Sequence, residues 1–275
     1  MADQQDPSGH FPTDLQHFAA KSGHCILKLI IKDNADEAAN FVAGQMASHL
    51  IARPDLVMGL ATGETMRPVY ARLRKIFRSG AAPSEAFSSF NLDEFIKVPK
   101  THPGSFHAYM ASELFTYIPS AETRCFIPDG MAQDLNAAAS AFEAKIKNHG
   151  GIDIQLLGIG RNGHVGFNEP GTPFDSRTAV VELSQHTRDV MTGFEADRPH
   201  QAMTMGIGTI MEARHCLLLA TGEAKAVAVS TMLCHPASPA CPASALQSHP
   251  DLMIVLDRKA ASRLTERQLL DIDPS

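Results

Sequence analysis

The sequence predicts a Rossmann-like α/β fold, a doubly wound and mostly parallel sheet with helices on both faces. Three observations predict it. Short apolar runs alternate with amphipathic stretches from about residue 25 to about 260, and several runs are apolar at nearly every position, as strands covered on both faces are. Glycines cluster directly after those runs, as in Ile152-Asp153-Ile154-Gln155-Leu156-Leu157-Gly158-Ile159-Gly160, where a strand must turn sharply. In such a sheet, right-handed crossovers bring function to the carboxyl ends of the strands.

Residues 1–22 are polar and read as a flexible arm, and 23–275 as a single α/β domain. Strands are expected at 25–31, 55–61, 86–92, 152–158, 179–183, 202–206, 215–221 and 251–256. Helices are expected at 35–51, 66–79, 104–115, 133–148, 184–192, 208–213, 223–234 and 258–270. The first helix carries Ala38, Phe41, Val42, Met46 and Leu50 at i, i+3, i+4 spacing, an ordinary core stripe. Two irregular stretches, 160–178 and 235–250, exceed ordinary connections. The first suggests an active-site flap running to about 195, the second a substrate-side or interface loop.

Composition excludes several classes. A net charge of −6 with no evident basic face gives no support to a nucleic-acid or anionic-membrane partner. Cys25, Cys125, Cys216, Cys234 and Cys241 are scattered without a C-x-x-C pair, which fits reduced thiols better than a disulfide frame or a zinc site. The amino terminus lacks an apolar signal core and no segment approaches bilayer-spanning length, so a soluble cytoplasmic protein is expected.

Four strand ends carry candidate chemistry. The run at 152–158 exits through Gly158, Gly160 and Gly163 and delivers His164, Asn168 and Glu169 within a few residues. Its G-I-G-R-N-G superficially fits the dinucleotide pattern G-x-G-x-x-G, but the following chain is too broken by glycine and proline to start the helix that motif requires. The glycines more plainly place a histidine and a carboxylate over a pocket, an imidazole titrating near neutrality being suited to proton transfer. Thr62-Gly63-Glu64-Thr65 follows a second run and precedes an amphipathic helix, so it can cradle an oxyanion; a simple glycine turn with Thr65 as N-cap is the alternative. Asp93 and Glu94 end a third run, at a sheet edge where a base can face a substrate carbon, which singles out Asp93; solvated or capping carboxylates are the alternative. Lys225, in the first turn of a helix after the fourth run, opposes the macrodipole and hints at a bound anion; an exposed lysine on a tolerant face is the alternative.

These segments together resemble the glucosamine-6-phosphate deaminase (isomerase) family, within the group that also holds 6-phosphogluconolactonases. The resemblance rests on GLATGET (59–65), FNLDEF (90–95), HPGSFHAYM (102–110), GIGRNGHVGFNEPGTPFDSRT (158–178), MGIGTIMEARHCLLLATGEAKA (205–226) and PASALQSHP (242–250), in the family's order. It implies a cofactor-free and metal-free isomerisation with deamination, an amino-sugar phosphate such as glucosamine 6-phosphate becoming a ketohexose phosphate and ammonia. By resemblance His164 opens the ring, Glu169 orients and tunes it, Asn162 belongs to the same relay, and Asp93 moves a proton between C2 and C1. Thr62, Gly63, Glu64, Thr65, Gly163 and Lys225 are implied to bind substrate and phosphate, by a monomer or a homo-oligomer.

The chain also departs from the family. Asn162 stands where many relatives have an aspartate, which leaves the relay without a charge at that point. Glu64 lies in the phosphate loop where glycine or serine is usual, and Gly193 replaces an expected arginine. Either Arg67 or Arg188 is then expected to hold the phosphate, or the 6-position carries a less charged group; the alternative is that Glu64 points to solvent and simply caps the helix. The basic residues relatives use for an allosteric site are replaced by Ala179, Val180 and Val181. The competing readings are a 6-phosphogluconolactonase-like hydrolase and a non-catalytic sugar-phosphate sensor.

Overall fold

The apolar runs become the central strands of a layered sheet. The computed structural model describes residues 18–22, 25–191, 193–194 and 198–265. In chain order the strands are β1 (Phe18–Ser22), β2 (Cys25–Lys32), β3 (Val57–Leu60), β4 (Ser88–Asn91), β5 (Asp93–Phe95), β6 (Cys125–Phe126), β7 (Ile154–Leu157), β8 (Ala179–Glu182), β9 (Gln201–Thr204), β10 (His215–Ala220) and β11 (Asp251–Asp257). The helices are α1 (Ala35–Ala52), α2 (Arg67–Arg78), α3 (Phe106–Glu113), α4 (Ala121–Arg124), α5 (Leu135–Asn148), α6 (Gln185–Val190), α7 (Ile207–Met211) and α8 (Ala226–Cys234).

The main sheet has the order β1-β2-β11-β10-β7-β3-β4-β6, with every pairing parallel except the antiparallel β1–β2 edge. From β2 through β3 and β4 to β6 the chain moves toward one edge; from β6 through β7 and β10 to β11 it returns. Right-handed crossovers in opposite directions put α1, α2 and α3 on one face and α5, α7 and α8 on the other. The reversal of direction falls between β3 and β7, which are hydrogen-bonded neighbours. Their loops part toward opposite faces there and leave the crevice typical of open α/β sheets.

Local signals account for the helix starts. Asn34 caps α1 by accepting the Glu37 amide at 2.9 Å, and its side-chain Nδ2 donates to the Glu37 carboxylate at 2.9 Å. Pro68 occupies the first turn of α2, where a missing N–H costs nothing. Ser105 and Asp134 cap α3 and α5 through the amides of Ala108 and Ala137. Ala38, Val42, Met46 and Leu50 of α1 are buried in the main core, where α1 packs on β2, β10 and β11.

Four differences from expectation matter. Residues 18–22, expected within a flexible arm, form β1, while 1–17 and 23–24 lie outside the described residues. The run expected to end at residue 92 instead breaks at Leu92 and continues as β5, which leaves the main sheet and pairs antiparallel with β9. The runs at 179–183 and 202–206 also leave it, as β8 and β9 of that three-stranded sheet. The helix expected at 258–270 is a series of turns through residue 263, because Asp257 accepts the amide of Ala260 and closes a tight turn; residues 266–270 lie outside the described residues. Among the described residues no helix is long and apolar enough to cross a membrane.

Candidate active site

The candidate residues gather where β3 and β7 part. β7 lies between β10 and β3, so its exit turn stands between the Lys225 loop on one side and the Thr62–Thr65 loop on the other. That turn is closed by the Gly163 amide on the Gly160 carbonyl at 3.1 Å and by the Gly160 amide on the His164 carbonyl at 2.8 Å. Gly163 adopts φ +86°, and a Cβ there would come within 2.6 Å of Cys241 Sγ. A Cβ at Gly160 would stand 2.2 Å from the His164 ring, so only glycine lets the imidazole fold back over the turn. The 235–250 stretch braces it from outside, Ala243 donating to the Gly163 carbonyl and Gly171 to the Pro239 carbonyl, each at 2.8 Å.

His164, half-buried, is held by a chain of hydrogen bonds. Its Nδ1 meets Asn162 Oδ1 at 2.7 Å, and Asn162 Nδ2 donates to Glu169 Oε2 at 2.7 Å. The direct His164 to Glu169 distance is 3.8 Å, so the carboxylate acts on the imidazole mainly through the asparagine. Because the Asn162 carbonyl can only accept, His164 Nδ1 carries the proton and leaves Nε2 as the basic nitrogen. Glu169 Oε1 accepts from Thr187 at 2.6 Å and Ser184 at 3.2 Å. Burial works to raise the Glu169 carboxyl, but the hydrogen bonds of Thr187 and Asn162 and the nearby His164 outweigh it and hold it below the ordinary carboxylate value.

Asp93 enters from a different sheet. It opens β5 and pairs with Thr204 of β9, whose hydroxyl accepts the Phe167 amide at 3.2 Å. Gly166 passes so close that a Cβ would lie 2.9 Å from Thr204 Oγ1 and 3.4 Å from Asp93 Oδ2. The segment that carries His164 is thereby pinned against the segment that carries Asp93. Asn168 fixes the same crossing by donating to the carbonyls of Val165 at 2.9 Å and Met205 at 2.8 Å. Asp93 is only 5% exposed, and burial together with the Glu94 charge pushes its carboxyl up to about 8. Glu94 plays a different part, since its carboxylate accepts the amides of Phe95, Phe106 and His107 and anchors the start of α3.

At the other end of the crevice, Gly63 adopts φ +108° with open space where a Cβ would be. The hydroxyls of Tyr70 and Tyr109 tie down the carbonyls of Ala61 and Gly63. The N-cap of α2 is Met66 and no side chain caps it, so Thr65, half-buried beside Glu64, is not the cap residue. The Glu64 side chain is 79% exposed and accepts from Arg67 Nε at 2.9 Å. Arg67 also binds Glu113 and lies over the Tyr109 ring, and Arg188 reaches Gln185 and His200. Both arginines, one of the expected alternatives for the phosphate, are thus engaged by other side chains.

Lys225, half-buried, instead has Arg161 for a neighbour. Burial and the Arg161 charge both push the Lys225 ammonium below its usual value. The lysine turn is set by Gly222 at φ +86°, whose amide donates to Asp257 at 2.9 Å. Gly163, expected to touch substrate, has its amide and carbonyl engaged by Gly160 and Ala243, so its part is to shape the turn. Arg161, Thr187, Thr204 and Asp257 had no role assignable from the expectations above. Arg161 was legible as the single cation inside the glycine turn; the others carry no local signal, since each meets the site from a distant segment.

Comparison with known proteins agrees with this geometry. The family model for glucosamine-6-phosphate isomerases and 6-phosphogluconolactonase matches residues 31–254. A glucosamine-6-phosphate deaminase of Shewanella loihica is 46% identical over 243 residues, covering 87% of this chain and 90% of that one. Its counterpart in Bacillus velezensis is 44% identical over 229 residues, covering 82% and 95%. A solved monomeric glucosamine-6-phosphate deaminase superposes with a TM-score of 0.83 at 40% identity, covering 85% of this chain and 98% of that one. A 6-phosphogluconolactonase from Trypanosoma brucei shares the fold, with a TM-score of 0.66 at 23% identity.

Proposed function

The chain belongs to the glucosamine-6-phosphate isomerase and 6-phosphogluconolactonase family, and from that membership and the site geometry we propose that it isomerises and deaminates glucosamine 6-phosphate, or its galacto equivalent, to a ketohexose 6-phosphate and ammonia. The observation that carries the reading is a tuned imidazole and a buried carboxyl delivered to one crevice by two pinned segments. His164, with Nδ1 protonated by the Asn162 contact, takes the anomeric hydroxyl proton at Nε2 and returns it to the ring oxygen, opening the ring. Glu169 stabilises the transient imidazolium through Asn162, which conveys polarity rather than charge.

Asp93 then removes the C2 proton to give an enolamine and delivers a proton to C1. The resulting ketimine is hydrolysed, water adding at C2 as ammonia departs. A carboxyl with a value near 8 is matched to shuttling a carbon-bound proton, since it is neither strongly acidic nor unable to ionise. A cationic amine at C2 would favour its ionised form on binding. Lactone hydrolysis moves no carbon-bound proton and gives Asp93 no comparable work, which favours the deaminase reading over the lactonase one. Nothing in a binding-only sensor would use a relay from His164 to Glu169.

Release of ammonia and fructose 6-phosphate from glucosamine 6-phosphate tests the reading, with a 6-phosphogluconolactone in parallel. His164→Ala should abolish ammonia release. Acid release from the lactone without ammonia from the amino sugar would assign the lactonase activity instead, and binding without either product would assign a sensor.

A further inference from the structure

We infer that Arg161 is a phosphate-binding residue of this site, sharing the 6-phosphate dianion with Lys225 and the Thr62–Thr65 loop. The inference rests on the proposal that the site takes an amino-sugar 6-phosphate, and it assigns the cation whose absence the sequence made conspicuous. β7 lies between β10 and β3, so the residue at the tip of its exit turn stands between the lysine loop and the glycine loop. Arg161 is that residue. The turn is closed by two backbone hydrogen bonds and braced by Ala243, so the guanidinium projects from a fixed base.

The electrostatics point to an anion. Arg161 is exposed and lies close enough to Lys225 for the two charges to repel, and among the described residues neither has a carboxylate ion-pair partner. Cations placed together without counter-charge raise the free energy of the empty site, and a dianion between them relieves it. A guanidinium fork meets two phosphate oxygens at once, which an ammonium cannot do. Other nearby arginines are excluded by their partners: Arg67 is held by Glu64 and Glu113, and Arg188 by Gln185 and His200. Gly193, where an arginine was expected, sits at φ +85° with Gly104 Cα 2.9 Å from the place of its Cβ, so it is shaped for packing. The Glu64 carboxylate, 79% exposed and turned to Arg67, does not contest the site.

The test compares wild type, Arg161→Ala and Arg161→Lys by calorimetric titration with inorganic phosphate and by turnover of glucosamine 6-phosphate and unphosphorylated glucosamine. Arg161→Ala should weaken phosphate binding and raise KM for the phosphorylated sugar by roughly 10- to 100-fold, the loss of a charge-assisted hydrogen bond. The loss should fall on KM more than on kcat, Arg161→Lys should restore part of it, and activity on glucosamine should change far less. Unchanged phosphate affinity in Arg161→Ala, or an equal loss on both sugars, would overturn the inference. If wild type releases no ammonia, the functional reading fails on its own, and the phosphate titration still decides on Arg161. Failure of wild type to bind phosphate would overturn the inference as well. Urea midpoints for the three proteins should coincide, since Arg161 supports no packing.

Discussion

Replacing Asp93 by asparagine should stabilise the protein while removing its turnover. Asp93 is 5% exposed, and its carboxyl is displaced from an ordinary 3.8 to about 8 by burial and by Glu94. The folded state therefore keeps a proton that the unfolded chain releases. Below about 3.8 both states are protonated and the residue costs nothing; between about 3.8 and 8 the unfolded chain gains about 1.4 kcal/mol per pH unit that the folded protein does not share. At pH 7 the interval is about three pH units, so the cost reaches about 4 kcal/mol. Asparagine is close to an isostere and carries no such cost.

The assay is urea unfolding of wild type and Asp93→Asn at pH 5, 6, 7 and 8, with ammonia release measured alongside. The difference between the two stabilities should grow with pH in favour of the variant and level off near 8, while turnover falls by roughly 1000-fold or more. Taking the difference cancels every other titrating group. A difference that stays flat across this range, or a variant less stable than wild type at pH 7, would refute the claim that Asp93 is held protonated by its surroundings.

The remaining expectations are simpler. If Asp93 acts as the base, kcat/KM in wild type should rise with pH through about 8, which a pH profile reads directly. Asn162→Ala removes both the acceptor of His164 Nδ1 and the donor to Glu169, and kcat should fall by roughly 100-fold with an unchanged melting temperature. Glu64→Gln should alter KM for the phosphorylated sugar by less than about threefold, because the carboxylate is exposed and engaged by Arg67. N-acetylglucosamine 6-phosphate should leave a hyperbolic rate curve unchanged: Ala179, Val180 and Val181 offer no charge, and Arg177 is tied to Glu143 and Glu212.

The central strands of the main sheet were legible because burial on both faces leaves its mark within a few consecutive residues. Each expected run from 25–31 to 251–256 is a strand, and the glycine exit after β7 lies at the crevice its position implied. What escaped was direction. The run expected at 86–92 reads as one strand ending in the Asp93 and Glu94 carboxylates, yet the chain changes sheets at Leu92, since Asp93 pairs with Thr204 on a strand far along the chain. For Glu64 the sequence left two readings open, repulsive in the phosphate loop or turned to solvent, because position alone cannot say that its side chain turns outward to Arg67. Likewise the relay from His164 to Glu169 was legible as a set of residues, but not its order through Asn162, which depends on a turn that only the Gly163 conformation allows.

Gly193 supplies the last step. An arginine restored there would need a Cβ 2.9 Å from Gly104 Cα at a backbone φ of +85°, a conformation that costs about 1–3 kcal/mol for a residue with a side chain. Gly193→Arg should therefore lower the melting temperature and leave KM for the phosphorylated sugar no better than in wild type. The physical contrast with Arg161 explains why. A cation carried on the segment after α6 must be positioned by that segment, whereas Arg161 stands on the same braced turn as His164. With the phosphate held from that turn, the distance between anchor and ring-opening base is set by the short backbone from Arg161 to His164. If Gly193→Arg instead tightened binding of the phosphorylated sugar without loss of stability, the segment would be adaptable enough to supply the cation, and the claim that its packing against Gly104 forbids one would fail.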